Sequence, residues 1–123
     1  MPALLRITQL GGSNAHMPPS SVWRVRAALP HEGGSTRVDV GNVFAVTDEA
    51  VAALAARINQ MQQTRLIELH VEGGGTVWLN RAAISRIRES DEAIHPGTEI
   101  IVAGQRQYVT ESVQAVVSAV EAP

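Results

Sequence analysis

The chain has 123 residues, of which 45% are hydrophobic and 18% are charged, and its formal net charge is −2. This composition predicts a folded domain with a packed core, and the negative charge disfavours nucleic-acid binding without excluding it. Because the chain has no cysteine, disulfide scaffolds, thiolate nucleophiles and cysteine-ligated metal centres are excluded.

The predicted elements belong to an internal repeat. When the sequence is displaced by 62 residues, Leu5 aligns with Ile67 and Val22 aligns with Ile84, and the glycine turns between them stay in register. The alignment favours a displacement of 63 only near Val46. A matched order of apolar pairs, glycine turns and helix starts predicts a tandem duplication.

Each half starts with a predicted hairpin and continues with further short strands. Alternating apolar and polar residues at 5–8 and 67–70 are typical of half-buried strands. The glycines that follow lead into strands, which favours turns over phosphate-binding loops. The same alternation predicts a third strand and a second hairpin in each half, at 22–26 and 36–46 and again at 84–89 and 98–109.

The last segment of each half changes to a helical period. Thr47-Asp48-Glu49 and Thr110-Glu111-Ser112 each provide a capping hydroxyl with carboxylates, which are favoured at a helix N-terminus. Apolar residues then recur at i, i+3, i+4 and i+7 over 51–58 and 113–120. This spacing predicts one apolar stripe on each helix.

These elements predict an α+β fold in which a unit of four to five antiparallel strands followed by a helix occurs at residues 1–63 and again at 64–123. A unit of ~60 residues buries only ~60% of its unfolded surface. We therefore expect a pseudo-two-fold pseudo-dimer that forms one compact domain with a shared core. That core would bury both helix stripes together, namely Val113, Val116 and Val120 with Leu54 and Ile58.

The second half contains Val77-Trp78-Leu79-Asn80, Ile84-Ser85-Arg86-Ile87 and Val109-Thr110-Glu111-Ser112-Val113 in that order. This series resembles the FlbD-type small flagellar and swarming-motility proteins, and the resemblance implies a strand-rich unit closed by a helix and a role in motility. The first half departs from the pattern, with Pro18 in place of the asparagine. By topology the repeated unit is also similar to the Whirly and PUR class of single-stranded nucleic-acid binders.

All ten basic residues are arginines, and each half carries Arg-x-Arg on its third strand, next in sequence to a tryptophan in the first half. Alternation places both arginines of a pair on one face of the strand. The pairs either meet as a four-arginine cluster for an anionic ligand, or are solvated residues paired with Glu89, Glu99 or Asp39. The candidate ligand-binding residues are Arg24, Arg26, Arg86, Arg88, Trp23 and Trp78.

The two tryptophans could offer stacking platforms, but they are interpreted, with Tyr108 and Phe44, as core or interface residues. Glu68 and His70 face the same side of a strand, yet no third metal ligand is evident among His16, His31 and His95. No serine–histidine–aspartate order is recognisable. We therefore expect no enzyme activity, no catalytic residues, no metal site and no cofactor.

The leading hypothesis is a non-enzymatic interaction or scaffolding module that binds another protein or a second copy of itself. The alternative is a module that binds single-stranded nucleic acid or another polyanion through the Arg-x-Arg strands. No apolar run approaches the ~20 residues of a spanning helix, and the first residues lack signal-peptide features. We therefore expect a cytoplasmic protein without a membrane span.

Overall fold

Strands and helices follow one another in the same order in both halves of the chain. The computed structural model describes residues 3–91 and 97–123. The first half contains β1 (Leu5–Thr8), β2 (Asn14–Met17), β3 (Val22–Ala27), β4 (Thr36–Val40), β5 (Val43–Thr47) and α1 (Val51–Gln60). The second contains β6 (Leu66–His70), β7 (Thr76–Asn80), β8 (Ile84–Glu89), β9 (Thr98–Val102), β10 (Gln105–Val109) and α2 (Val113–Glu121).

The fold is α+β with antiparallel strand pairs, as the sequence predicts. From β2 onward, each element starts 62 residues before its counterpart. For example, β3 starts at Val22 and β8 at Ile84. This spacing persists through β5 and β10, which start at Val43 and Gln105. The predicted change of displacement near Val46 is therefore wrong.

The strands form three sheets, with the orders β1-β2, β5-β4-β3-β7-β6 and β10-β9-β8. The five-stranded sheet contains strands of both halves, because β3 pairs with β7. In this β3–β7 junction Val25 lies opposite Trp78, between the pairs Arg24–Leu79 and Arg26–Val77. The junction joins the two halves by hydrogen bonds between their backbones.

A two-fold arrangement would pair β8 with β2 in the same way. Within residues 3–91 and 97–123, however, β8 pairs only with β9, and β2 pairs only with β1. In the described residues the halves therefore pair through β3 and β7 but not through β8 and β2, so the strand pairing does not reproduce the predicted pseudo-two-fold symmetry.

The predicted single core is replaced by two clusters. Leu54 and Ile58 of α1 pack in the first cluster, whereas Val116 of α2 packs in the second. Each cluster takes one fully or nearly buried residue from the other half: Leu66 enters the first and Trp23 enters the second. The reason is the alternation of side chains along β3 and β6, which sends neighbouring residues to opposite faces of the shared sheet.

The helix caps differ between the halves. The Ser112 hydroxyl accepts a hydrogen bond from the Ala115 N–H, so a hydroxyl of the predicted segment caps α2, but the predicted carboxylate, Glu111, precedes the cap instead of following it. The N-cap of α1 is Ala50, which makes no side-chain capping bond, and Thr47 belongs to β5. No helix in the described part of the chain is long and apolar enough to span a bilayer.

Candidate functional site

The outer face of β3 and β4 carries a compact ionic network. Asp39, whose side chain is only 3% exposed, accepts a hydrogen bond from Arg24 at 2.7 Å and another from Arg37 at 3.0 Å. Glu32 lies 2.8 Å from Arg37 and 3.4 Å from Arg26. Three arginines thus surround two nearly buried carboxylates.

The Glu32 carboxylate is stabilised in its charged form. Its pKa is lowered to about 2, chiefly because the backbone N–H of Leu29 donates to it, and also because Arg37 does. The hydrogen bond from Leu29 N–H to Glu32 Oε1, 2.6 Å long, closes the turn that brings Glu32 to the network. The network therefore depends on this loop as well as on the strands.

Acidification is expected to destabilise the protein partly through Glu32. Since its folded-state pKa lies below the ordinary value of 4.5, its contribution to stability is complete above about pH 5 and is lost as the pH falls towards about 2. Circular dichroism melts between pH 7 and pH 3 should show a shallower decline of the melting temperature in Glu32→Gln than in the wild type. Parallel declines in the two proteins would contradict this prediction.

The second half builds a different network at the corresponding place. Glu99, 1% exposed, contacts Arg88 at 2.9 Å, Arg86 at 3.1 Å and Arg106 at 3.9 Å. It lies opposite Arg88 on β9, as Arg37 lies opposite Arg26 on β4. The hydrogen bond from Arg88 lowers the pKa of Glu99. A single central carboxylate therefore holds three arginines, which are 38–63% exposed.

Among the described residues, no single carboxylate contacts all four of the predicted arginines. Arg24 and Arg26 belong to the first network, and Arg86 and Arg88 belong to the second. The observed partners include Asp39 and Glu99, which the alternative prediction named. Each Arg-x-Arg pair is therefore held by acidic groups of its own half.

A cleft of about 300 Å³ lies between β5 and β10, next to the first network. Arg24 reaches across it, and its Nη1 donates to Gln107 Oε1 at 2.8 Å. Arg106 lines the same cleft from the second half. Phe44, which the sequence assigned to the core or an interface, is 52% exposed there, with the Arg37 guanidinium 3.9 Å from its ring centroid.

The sequence pattern did not single out Arg37, Phe44 or Arg106 as site residues. Arg37 precedes the buried Val38 on β4, so the strand pattern predicts that the Arg37 side chain points outward. The approach of β10 to β5 was not readable, because it depends on contacts between distant segments.

Both tryptophans are involved in packing. Trp23 is 7% exposed, and its Nε1 donates to the Gly41 carbonyl at 2.8 Å. Trp78 is half-buried against the first core cluster. Their assignment to the core or an interface is confirmed, and neither ring lies open as a stacking platform.

Among the described hydrogen bonds, His70 pairs with Glu111 and not with Glu68, although the charge of Glu68 also helps to raise the pKa of His70. His70 Nδ1 lies 2.8 Å from Glu111 Oε2, and this hydrogen bond raises the pKa of His70. His95 lies outside the described residues. Among the residues that the structure describes, no three histidine, aspartate or glutamate side chains are grouped as a metal site would require.

The comparisons with known proteins give no relative. No protein-family model matches the chain, and no curated protein or solved structure matches it significantly.

The chemistry of the cleft follows from its residues alone. Its walls combine an exposed aromatic ring, the exposed guanidinium group of Arg106 and the edge of strand β5. Such a set can bind an extended chain by its backbone, its apolar side chains and its acidic groups.

Proposed function

We propose that the chain is a tandem duplication that acts as a non-enzymatic protein-interaction module, with its docking site in the cleft between β5 and β10. The observation that carries the proposal is the exposed Val43–Phe44 edge of β5 beside Arg106. Val43 and Phe44 are 63% and 52% exposed. The duplication is supported by the order and spacing of the elements.

The backbone of β5 is oriented for strand addition at this edge. Val46 turns its carbonyl away from β4 and accepts a hydrogen bond from the Leu10 N–H at 3.1 Å. Because backbone groups alternate along an antiparallel strand, the N–H and C=O of Phe44, two residues earlier, point to the same side. A partner strand can therefore continue the sheet beyond the β1–β2 turn.

The charges favour an acidic partner segment. Arg106 is 63% exposed, and its nearest carboxylate, Glu99, is 3.9 Å away. Its guanidinium therefore keeps donors for a second carboxylate. An extended peptide that alternates acidic and apolar residues would place the former on Arg106 and the latter on Phe44.

A polyanion is the second candidate, because Arg86 and Arg106 are both more than half exposed. Against it stand the net charge of −2 and the burial of Trp23, which removes a ring on which bases could stack. We therefore favour a protein partner. The motility role implied by the resemblance of the second half stays a prediction.

Fluorescence anisotropy with a labelled ten-residue peptide of alternating Glu and Val tests the proposal. Binding should weaken at least tenfold in Phe44→Ala and in Arg106→Glu, since each removes one contact class. Arg6→Glu, with the same charge change on β1, should bind as the wild type does.

Two outcomes would contradict the peptide site. One is equal affinity for a Lys–Val peptide of the same length. In the other, the Glu–Val peptide fails to bind, whereas a labelled twenty-residue oligo(dT) binds in a salt-dependent way. That result would favour the polyanion hypothesis.

A further inference from the structure

Strands β8 and β2 are the counterparts of β3 and β7, yet they stay apart within the described residues. β3 and β7 pair with each other across the halves. β8 and β2 begin 62 residues from β3 and β7, at Ile84 and Asn14. In the part of the chain that the structure describes, each of them therefore has one edge without a neighbouring strand.

The backbone groups at these edges point outward. On β8, the hydrogen bond from Ser90 N–H to Gly97 C=O fixes the alternation, so the N–H and C=O of Ile87 point away from β9. On β2, the hydrogen bond from Gln9 N–H to Ser13 C=O fixes the alternation in the same way, so the backbone N–H and C=O of His16 point away from β1. Ile87 and His16 are the counterparts of Val25 and Trp78, which face each other at the β3–β7 junction.

Side-chain exposure shows where a strand is missing. Val22 and Val25 of β3 are fully buried. Their counterparts Ile84 and Ile87 on β8 are only partly buried, although α2 packs on β8 as α1 packs on β3. The face of β8 thus lacks the cover that the β6–β7 hairpin gives to β3.

We infer that the chain self-associates head to tail, with β8 of one copy pairing with β2 of the next. The β3–β7 register, carried over to these strands, places Ile87 opposite His16, Arg86 opposite Met17 and Arg88 opposite Ala15. Because the two edges differ, repetition of the contact produces a ring or an open fibre. The inference rests on the proposed duplication, but not on the cleft between β5 and β10.

The contact between copies is weaker than the internal one. At the β3–β7 junction, Asn80 Nδ2 donates to the Val22 and Ser20 carbonyls at 2.8 and 3.3 Å. The residue that corresponds to Asn80 is Pro18, which follows β2 of the next copy and has no side-chain donor. Association is therefore reversible and concentration-dependent, and a donor at residue 18 strengthens it.

Sedimentation velocity of the full chain from 1 to 200 μM tests the inference. The wild type should sediment faster as its concentration rises. His16→Pro removes an outward N–H that β1 does not use, and should shift the midpoint at least tenfold higher. His16→Ala keeps that N–H and should associate like the wild type, whereas Pro18→Asn should lower the midpoint.

Circular dichroism melts establish that each variant is folded. A wild type and a Pro18→Asn variant that both stay monomeric would overturn the inference. So would association that survives His16→Pro, because a β8–β8 contact does not use β2. His16→Pro should leave peptide binding intact and Phe44→Ala should leave association intact, so failure of either proposal is recognised separately.

Discussion

Neither half should fold cooperatively when residues 1–63 and 64–123 are expressed separately. The first fragment loses Leu66 from its core cluster and the neighbouring strand β7. The second loses Trp23 and leaves β7 as an unprotected edge. Each fragment also has only ~60 residues, a length at which folding is marginal. Circular dichroism melts should show broad or absent transitions for the fragments and a sharp one for the whole chain.

An equimolar mixture of the two fragments is the matched control. If the β3–β7 junction holds the halves together, mixing should restore part of the cooperative transition. Two monomeric fragments with sharp transitions of their own would show that the halves do not depend on each other.

Replacing Asn80 by alanine should have the largest effect of any polar substitution at the junction. The side chain is buried; its Oδ1 accepts from Thr64 Oγ1 and from Ala82 N–H, and its Nδ2 donates to the Val22 carbonyl. Its removal leaves several of these groups without a partner, which should cost about 2–4 kcal/mol of unfolding free energy. The melting temperature should fall by about 10 °C.

Pro18→Ala provides the control at the corresponding position of the first half. Pro18 is exposed and has no side-chain hydrogen bond to lose. Its replacement should change the free energy of unfolding by less than about 1 kcal/mol. Equal effects of the two substitutions, measured by urea unfolding, would contradict the anchoring role of Asn80.

The strands, the helices and their repeated order were predictable from the sequence because they depend on local periodicity. The pairing of β3 with β7 was not, since it joins distant segments and local alternation does not distinguish it from pairing within one half. Its one sequence signal is Asn80, which is replaced by Pro18 in the first half. That difference was visible, but its physical meaning depends on the Val22 carbonyl that Asn80 reaches.

The arginine face was predictable only in part. Alternation correctly placed Arg24 and Arg26 on one face of β3, opposite Val25. It could not show which carboxylates hold the arginines. In the first half one of them is Asp39 on β4, whereas in the second half it is Glu99 on β9, at the position that corresponds to Arg37. At the displacement of 62, Arg37 corresponds to the oppositely charged Glu99, and Asp39 corresponds to the uncharged Ile101, so alignment of the halves does not predict the ion pairs.

The two tryptophans of the chain lie on the two strands that form the β3–β7 junction, Trp23 on β3 and Trp78 on β7. Trp23 occupies the irregular step in β3 and donates to the Gly41 carbonyl, whereas Trp78 has a buried indole N–H for which the described residues provide no acceptor. Tryptophan emission from this protein therefore comes from the neighbourhood of one strand pair. The molecule contains its own optical probe of whether its halves are joined, without any label.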